Sequence, residues 1–134
     1  MELWYNKVFA NKSILNAKLG YTGLQSENPD GEVSKYVSSH ATNLVNGSVN
    51  YSIAMLDFGV TGIFKTRKED YSEAIDVGIK PEYFVANANV GCRIMDNRLA
   101  LKAEVLNLFD EQYSDILGPV MPGRWFMAGV TLNL

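Results

Sequence analysis

The chain has one histidine, His40, and one cysteine, Cys92. A lone thiol excludes an internal disulfide and any site built from several cysteines, and His40 has no cysteine or histidine companion at ligand spacing. In its polar surroundings His40 reads as a solvated side chain. No nucleophile stands with a base, and no glycine-rich segment has the spacing that cradles a phosphate. The expectation is a protein that is not an enzyme and uses no metal or cofactor. The acidic run KEDYSEAID (68–76) reads as a solvated surface, or as a contact for a ligand or cation if it lies on an outward-facing rim.

What remains is chemistry of a mechanical kind. Asn107, Leu108, Phe109, Asp110 and Tyr113 follow a hydrophobic stretch, and Pro122, Gly123 and Arg124 precede the next one. Asp110 and Tyr113 can hydrogen-bond nearby backbone and shape a loop. Pro122 and Gly123 set a re-entry turn, while Arg124 either pairs an acidic residue such as Glu104 or stays solvated.

These residues need elements to hold them, and composition bounds which. The chain has 134 residues, is 47% hydrophobic and 20% charged, and carries a net charge of −3. This is the balance of one folded domain, and the net negative charge gives no support to nucleic-acid binding. No window approaches the roughly 20 continuous apolar residues of a membrane helix, and MELWYNKVFANKS lacks the apolar core of a signal peptide.

Periodicity supplies the elements. Leu15, Ala17, Leu19 and Tyr21 alternate with Asn16, Lys18, Gly20 and Thr22, and Val45 to Ile53 alternate with Asn46, Ser48, Asn50 and Ser52. The same period of two runs through Leu56 to Phe64, Phe84 to Ile94, Leu99 to Val105 and Phe126 to Leu134. A period of two means strand. The expected fold is therefore all-β, an antiparallel up-and-down meander of six strands, with ELWYNKVF (2–9) as the tail of a seventh.

The connections alternate between short turns near 10–13, 54 and 96–98 and long loops at 26–41, 67–81 and 109–123. That plan recurs in outer-membrane barrels, whose long loops face away from the cell. On the apolar face, Tyr51 and Phe58 form one aromatic band near the short turns, while Tyr21, Phe64, Phe84 and Phe126 form another near the long loops. The opposite face is rich in Asn, Ser, Thr and Gly, which suits a crowded, wet lumen better than a lysine- and glutamate-rich exterior.

The segment LKAEVLNLFDEQYSDILGPVMPGRWFMAGVTLNL (101–134) resembles the C-terminus of TonB-dependent outer-membrane receptors. The matching residues are Asn107, Leu108, Phe109, Asp110, Tyr113, Asp115, Pro122, Gly123, Arg124 and Phe126, and the strands before them resemble the preceding strands of that family. The resemblance implies that residues 1–134 are the C-terminal portion of a transmembrane β-barrel in the outer membrane of a Gram-negative bacterium, with the plug domain and N-terminal strands absent. It implies uptake of siderophore-bound iron, haem, cobalamin or a glycan. The implied partners are outer-membrane lipid, the barrel assembly machinery, the rest of the barrel and plug, and TonB through the N-terminal part. It also makes Phe126, Gly129, Leu132 and Leu134 a barrel-assembly signal, with Leu134 where the family usually has an aromatic residue. Two other readings stand beside it: a self-contained small outer-membrane barrel of about eight strands, and a soluble ligand-binding β-barrel.

Overall fold

The computed structural model describes residues 1–24, 41–67, 70–72, 77–95, 98–116 and 119–132; His40, Leu134 and most of the acidic run lie outside them. The strands are β1 (Glu2–Val8), β2 (Ile14–Gly23), β3 (Asn43–Ile53), β4 (Leu56–Thr66), β5 (Asp70–Ser72), β6 (Val77–Ile79), β7 (Glu82–Ile94), β8 (Leu99–Leu106) and β9 (Trp125–Leu132). Seven of them form one antiparallel sheet in the order β1-β2-β3-β4-β7-β8-β9, and β5 pairs only with β6. The fold is the expected meander, and β1 is a full member of it, paired with β2 from Glu2 to Val8. The connection 67–81 differs from its reading as a plain loop because it contains the β5–β6 hairpin. Three residues on each side are too few to leave a period-two signature.

The short turns work because single residues accept a left-handed backbone. Lys12, Ala54 and Met95 have φ of 63°, 51° and 53°. At 54–55 only two residues separate the Ile53–Leu56 pair. Ala54 takes the positive φ that a two-residue hairpin demands, a place more often given to Gly or Asn.

Register then fixes the faces, since directly paired residues point the same way. One row reads Asn6, Asn16, Asn50, Gly59 and Asn89, continued by Glu104 on β8. The row beside it, on the other face, reads Tyr5, Ala17, Val49, Val60, Ala88 and Val105. The polar face is knit together by its amides. Asn6 Nδ2 donates to Asn16 Oδ1 at 2.6 Å. Gly59 leaves the space that the amides of Asn50 and Asn89 occupy, and a Cβ there would lie 2.6 Å from Asn89 Nδ2. Among the described residues the apolar face has no layer over it: Val60 is 50% exposed, Val130 71% and Phe126 76%.

The sheet is open, and its upper margin is stepped. Gly23, Asn43, Thr66 and Glu82 share one row at the long-loop rim. On the far side of β7, pairing with β8 starts only at Ala88–Val105, and β9 starts opposite Leu106. The first six residues of β7, 82–87, therefore have β4 on one flank and no strand on the other. Such a stagger has the character of the register shear that barrel walls require. It also creates a notch, and the connection 107–124 fills it.

Candidate functional site

The notch is where the described residues come closest to a core. Tyr83, Val85, Ala86, Arg67 and Asn107 are all buried there, in a sheet otherwise largely open on both faces.

Asn107 roots the filling loop. Its φ is 51°, a conformation Asn tolerates better than most residues, and the resulting bend turns the chain off the end of β8. Its backbone N–H donates to Asn87 Oδ1 at 2.9 Å, and Leu108 N–H donates to Ala86 O at 2.7 Å, so the loop takes over the vacant edge of β7. The Asn107 amide donates to Glu111 O at 2.8 Å and to Pro122 O at 3.3 Å, while its oxygen accepts from Glu111 N–H at 2.8 Å. One side chain, only 3% exposed, thus ties both limbs of the loop together.

Asp110 makes the second tie. Its φ is 57°, and its Oδ1 accepts from the Arg124 backbone N–H at 2.7 Å. Gly123 is required for this approach, because a Cβ there would lie 2.6 Å from that same oxygen. Gly123→Ala should push the carboxylate away and lower the hydrogen-exchange protection of the Arg124 amide by about tenfold or more, as a lost bond at a loop closure does. Arg124 does not pair with Glu104. Its guanidinium donates to Leu108 O at 3.4 Å, and Glu104 is held by Lys102 at 2.9 Å, two residues away on the same face.

The tip of the loop folds onto the polar face. Asp115 Oδ1 accepts from Lys65 Nζ at 3.0 Å and from Tyr83 OH at 2.6 Å. Tyr113 packs on Tyr83 with ring centroids 4.5 Å apart. Arg67 is the hub of the rim: it donates to Lys80 O at 3.0 Å, to Asp115 O at 3.0 Å and to Ser114 O. It therefore fastens two long connections with one guanidinium, whose fork of donors suits several carbonyls at once. Lys80 Nζ meets Glu111 Oε1 at 2.7 Å at the surface.

Burial pushes the Asp115 carboxyl up, but the hydrogen bonds from Tyr83 and Lys65 and the charges of Lys65 and Arg67 outweigh it and hold the group below its ordinary value. Burial and the Asp115 charge both push the Tyr113 phenol up. Because the folded loop favours the Asp115 anion, its contribution is complete above the ordinary carboxylate range and is lost as the pH falls through the lowered value. The near-UV circular dichroism of the tyrosine pair should hold steady from about pH 7 to 5 and decline below about pH 4. Asp115→Asn should remove that acid transition.

The six aromatics of the two expected bands, Tyr21, Tyr51, Phe58, Phe64, Phe84 and Phe126, lie on the apolar face. Tyr21 shares a row with Val45, Phe64 and Phe84, while Tyr51 pairs directly with Phe58. Phe126 pairs with Val105, four residues further along the β7 register, following the step of the margin. Two aromatics outside the expected bands join them: Phe109, 6.0 Å from Phe84, and Phe9, 6.4 Å from Tyr51. Both sit just past a strand end, so extending the alternation into the flanks would have found them. Of the residues that the resemblance marks as an assembly signal, Gly129 lies on the polar face with open space around it, and Leu132 ends β9 opposite Leu99 on the apolar face. No family model matches the chain, and neither a curated protein nor a solved structure matches it.

Proposed function

We propose that this chain is a C-terminal wall segment of a TonB-dependent outer-membrane receptor, part of a barrel that takes up a large nutrient such as siderophore-bound iron, haem, cobalamin or a glycan. The observation that carries the reading is the apolar face, which continues across seven strands with Lys7 interrupting it near the short-turn rim, is uncovered among the described residues, and is bordered by aromatics toward both rims. A water-filled exterior gives no reason for such a face, because exposed contiguous apolar surface is a liability in a soluble monomer. Lipid gives one. The amide-rich opposite face, the alternation of short and long connections and the stepped margin support the same assignment.

On this reading the polar face lines the lumen toward the plug, the long connections lie at the cell exterior, and Phe126, Gly129, Leu132 and Leu134 are offered to the assembly machinery. The wall segment does not transport alone; its contribution is lining and closure. TonB acts through other parts of the receptor, and nucleic acid has no role.

The test is expression of the full 134-residue chain without and with a mild detergent. In buffer the chain should aggregate or pair edge to edge, since β1 and β9 each leave a backbone edge unpaired beside an apolar face. Detergent should recover a β-rich circular dichroism signal. A monodisperse, cooperatively unfolding monomer in plain buffer would overturn the assignment and favour a soluble binding protein.

A further inference from the structure

Asp115 is seated as a ligand would be. Four donor groups converge on the segment 114–115: Lys65 Nζ, Tyr83 OH and two guanidinium nitrogens of Arg67. Three of them come from β4 and the residue that follows it, the fourth from β7, so the seat belongs to the wall and its occupant to the loop. Lys65 pairs with the Asp115 carboxylate at 3.0 Å, Arg67 holds the backbone carbonyls of Ser114 and Asp115 beside it, and the nearby Lys80 and Glu111 pair with each other. Among the described residues, lifting the tip away would leave Lys65 and Arg67 without an acidic partner, beside a tyrosine hydroxyl in a recess of the polar face. A partly dehydrated cationic recess attracts anions.

The loop is also divided in the way such a release needs. Its root is tied by Asn107 and Asp110, which do not touch the seat, whereas its tip is held by the Asp115 contacts, the Tyr113–Tyr83 packing and Arg67. The tip can leave while the root stays fastened.

We propose that Lys65, Arg67 and Tyr83 form a binding site for a carboxylate-bearing solute, which Asp115 fills in the unliganded protein and from which the solute displaces the loop tip. A carboxylate is the class that fits, because the present occupant is one: a single oxygen takes both the ammonium and the phenol, with the guanidinium alongside. The site depends on this cluster and not on the receptor assignment.

The experiment uses the full chain in neutral detergent micelles with succinate as probe, and with dimethyl succinate and sodium chloride at matched ionic strength as controls. Asp115→Asn empties the seat of its charge. Succinate should bind this variant roughly tenfold more tightly than the unsubstituted chain, and Lys65→Met added to it should remove that gain. In the unsubstituted chain succinate, but neither control, should accelerate chymotryptic cleavage after Tyr113. If Asp115→Asn keeps its β-sheet signal and binds succinate no better than the parent, the site does not exist. If the variant loses that signal, the parent chain decides: cleavage that succinate leaves unchanged overturns the proposal, and selective acceleration supports it.

Discussion

Asn107→Ala is expected to release both limbs of the connection 107–124 and to cost about 3 kcal/mol, at the upper end for one buried polar side chain. The substitution removes three hydrogen bonds to Glu111 and Pro122. It strands the Glu111 N–H and the Glu111 and Pro122 carbonyls in a partly buried place. It also puts alanine at a φ of 51°, which a Cβ without a short polar group tolerates less well. Denaturant unfolding in micelles would give the cost. Asn107→Gly separates the two causes, because it restores the backbone freedom but not the bonds. If the bonds dominate, as their number implies, glycine recovers less than half of the loss. The tip contacts of Asp115 should fail with the root in the alanine variant, whereas Asp115→Asn should leave the root intact.

The second large effect concerns the uncovered face. Val60 lies midway along β4, paired with Val49 on one side and Ala88 on the other. In a lipid-facing wall Val60→Arg should destabilise the chain by about 2–4 kcal/mol, the cost of a cation near the bilayer midplane. Its neighbour Thr61 points to the polar face, beside Ser48 and Asn87, and Thr61→Arg should cost under about 1 kcal/mol in the same setting. The pair is informative because the sign changes with the solvent. On a face exposed to water, Val60→Arg would break an apolar patch and improve solubility. Comparing unfolding in vesicles with the soluble fraction in buffer for both variants distinguishes the two environments without reference to any ligand.

The parts of the fold that could be read from sequence are those in which one residue's neighbours in the chain decide its face. Leu15 to Tyr21 and Phe84 to Ile94 announce their strands because alternation is local, and directions followed once loop lengths were set against turn lengths. The β5–β6 hairpin escaped because its strands are shorter than the window in which a period can be counted. The notch escaped for a different reason. Nothing in the composition of Tyr83 or Lys65 says that pairing with β8 starts six residues below the head of β7, and only that offset creates a vacancy for a loop. The Asp115 seat inherits this difficulty, since Lys65 and Asp115 are fifty residues apart in the chain and meet through the register of two intervening pairings. Asp110 holds the nearby Arg124 backbone N–H, whereas the Tyr113 ring packs on Tyr83, far away in the chain, a contact that its local sequence does not announce. The part played by Asn107 was no more legible, although an asparagine directly after a strand is a residue type that accepts the left-handed bend it adopts.

Strand parity has a consequence for how the sheet can be completed. β1 runs from the long-connection rim toward the short-turn rim, and so does β9, because seven is odd. Bringing these two edges together would create a parallel pair in an otherwise antiparallel wall. A closed, wholly antiparallel cylinder containing this sheet must therefore insert an odd number of further strands between β9 and β1, giving the even total that bacterial outer-membrane barrels have. A second copy of the same sheet obeys a matching rule: joined β9 to β1 it must be inverted, with its long connections at the opposite rim.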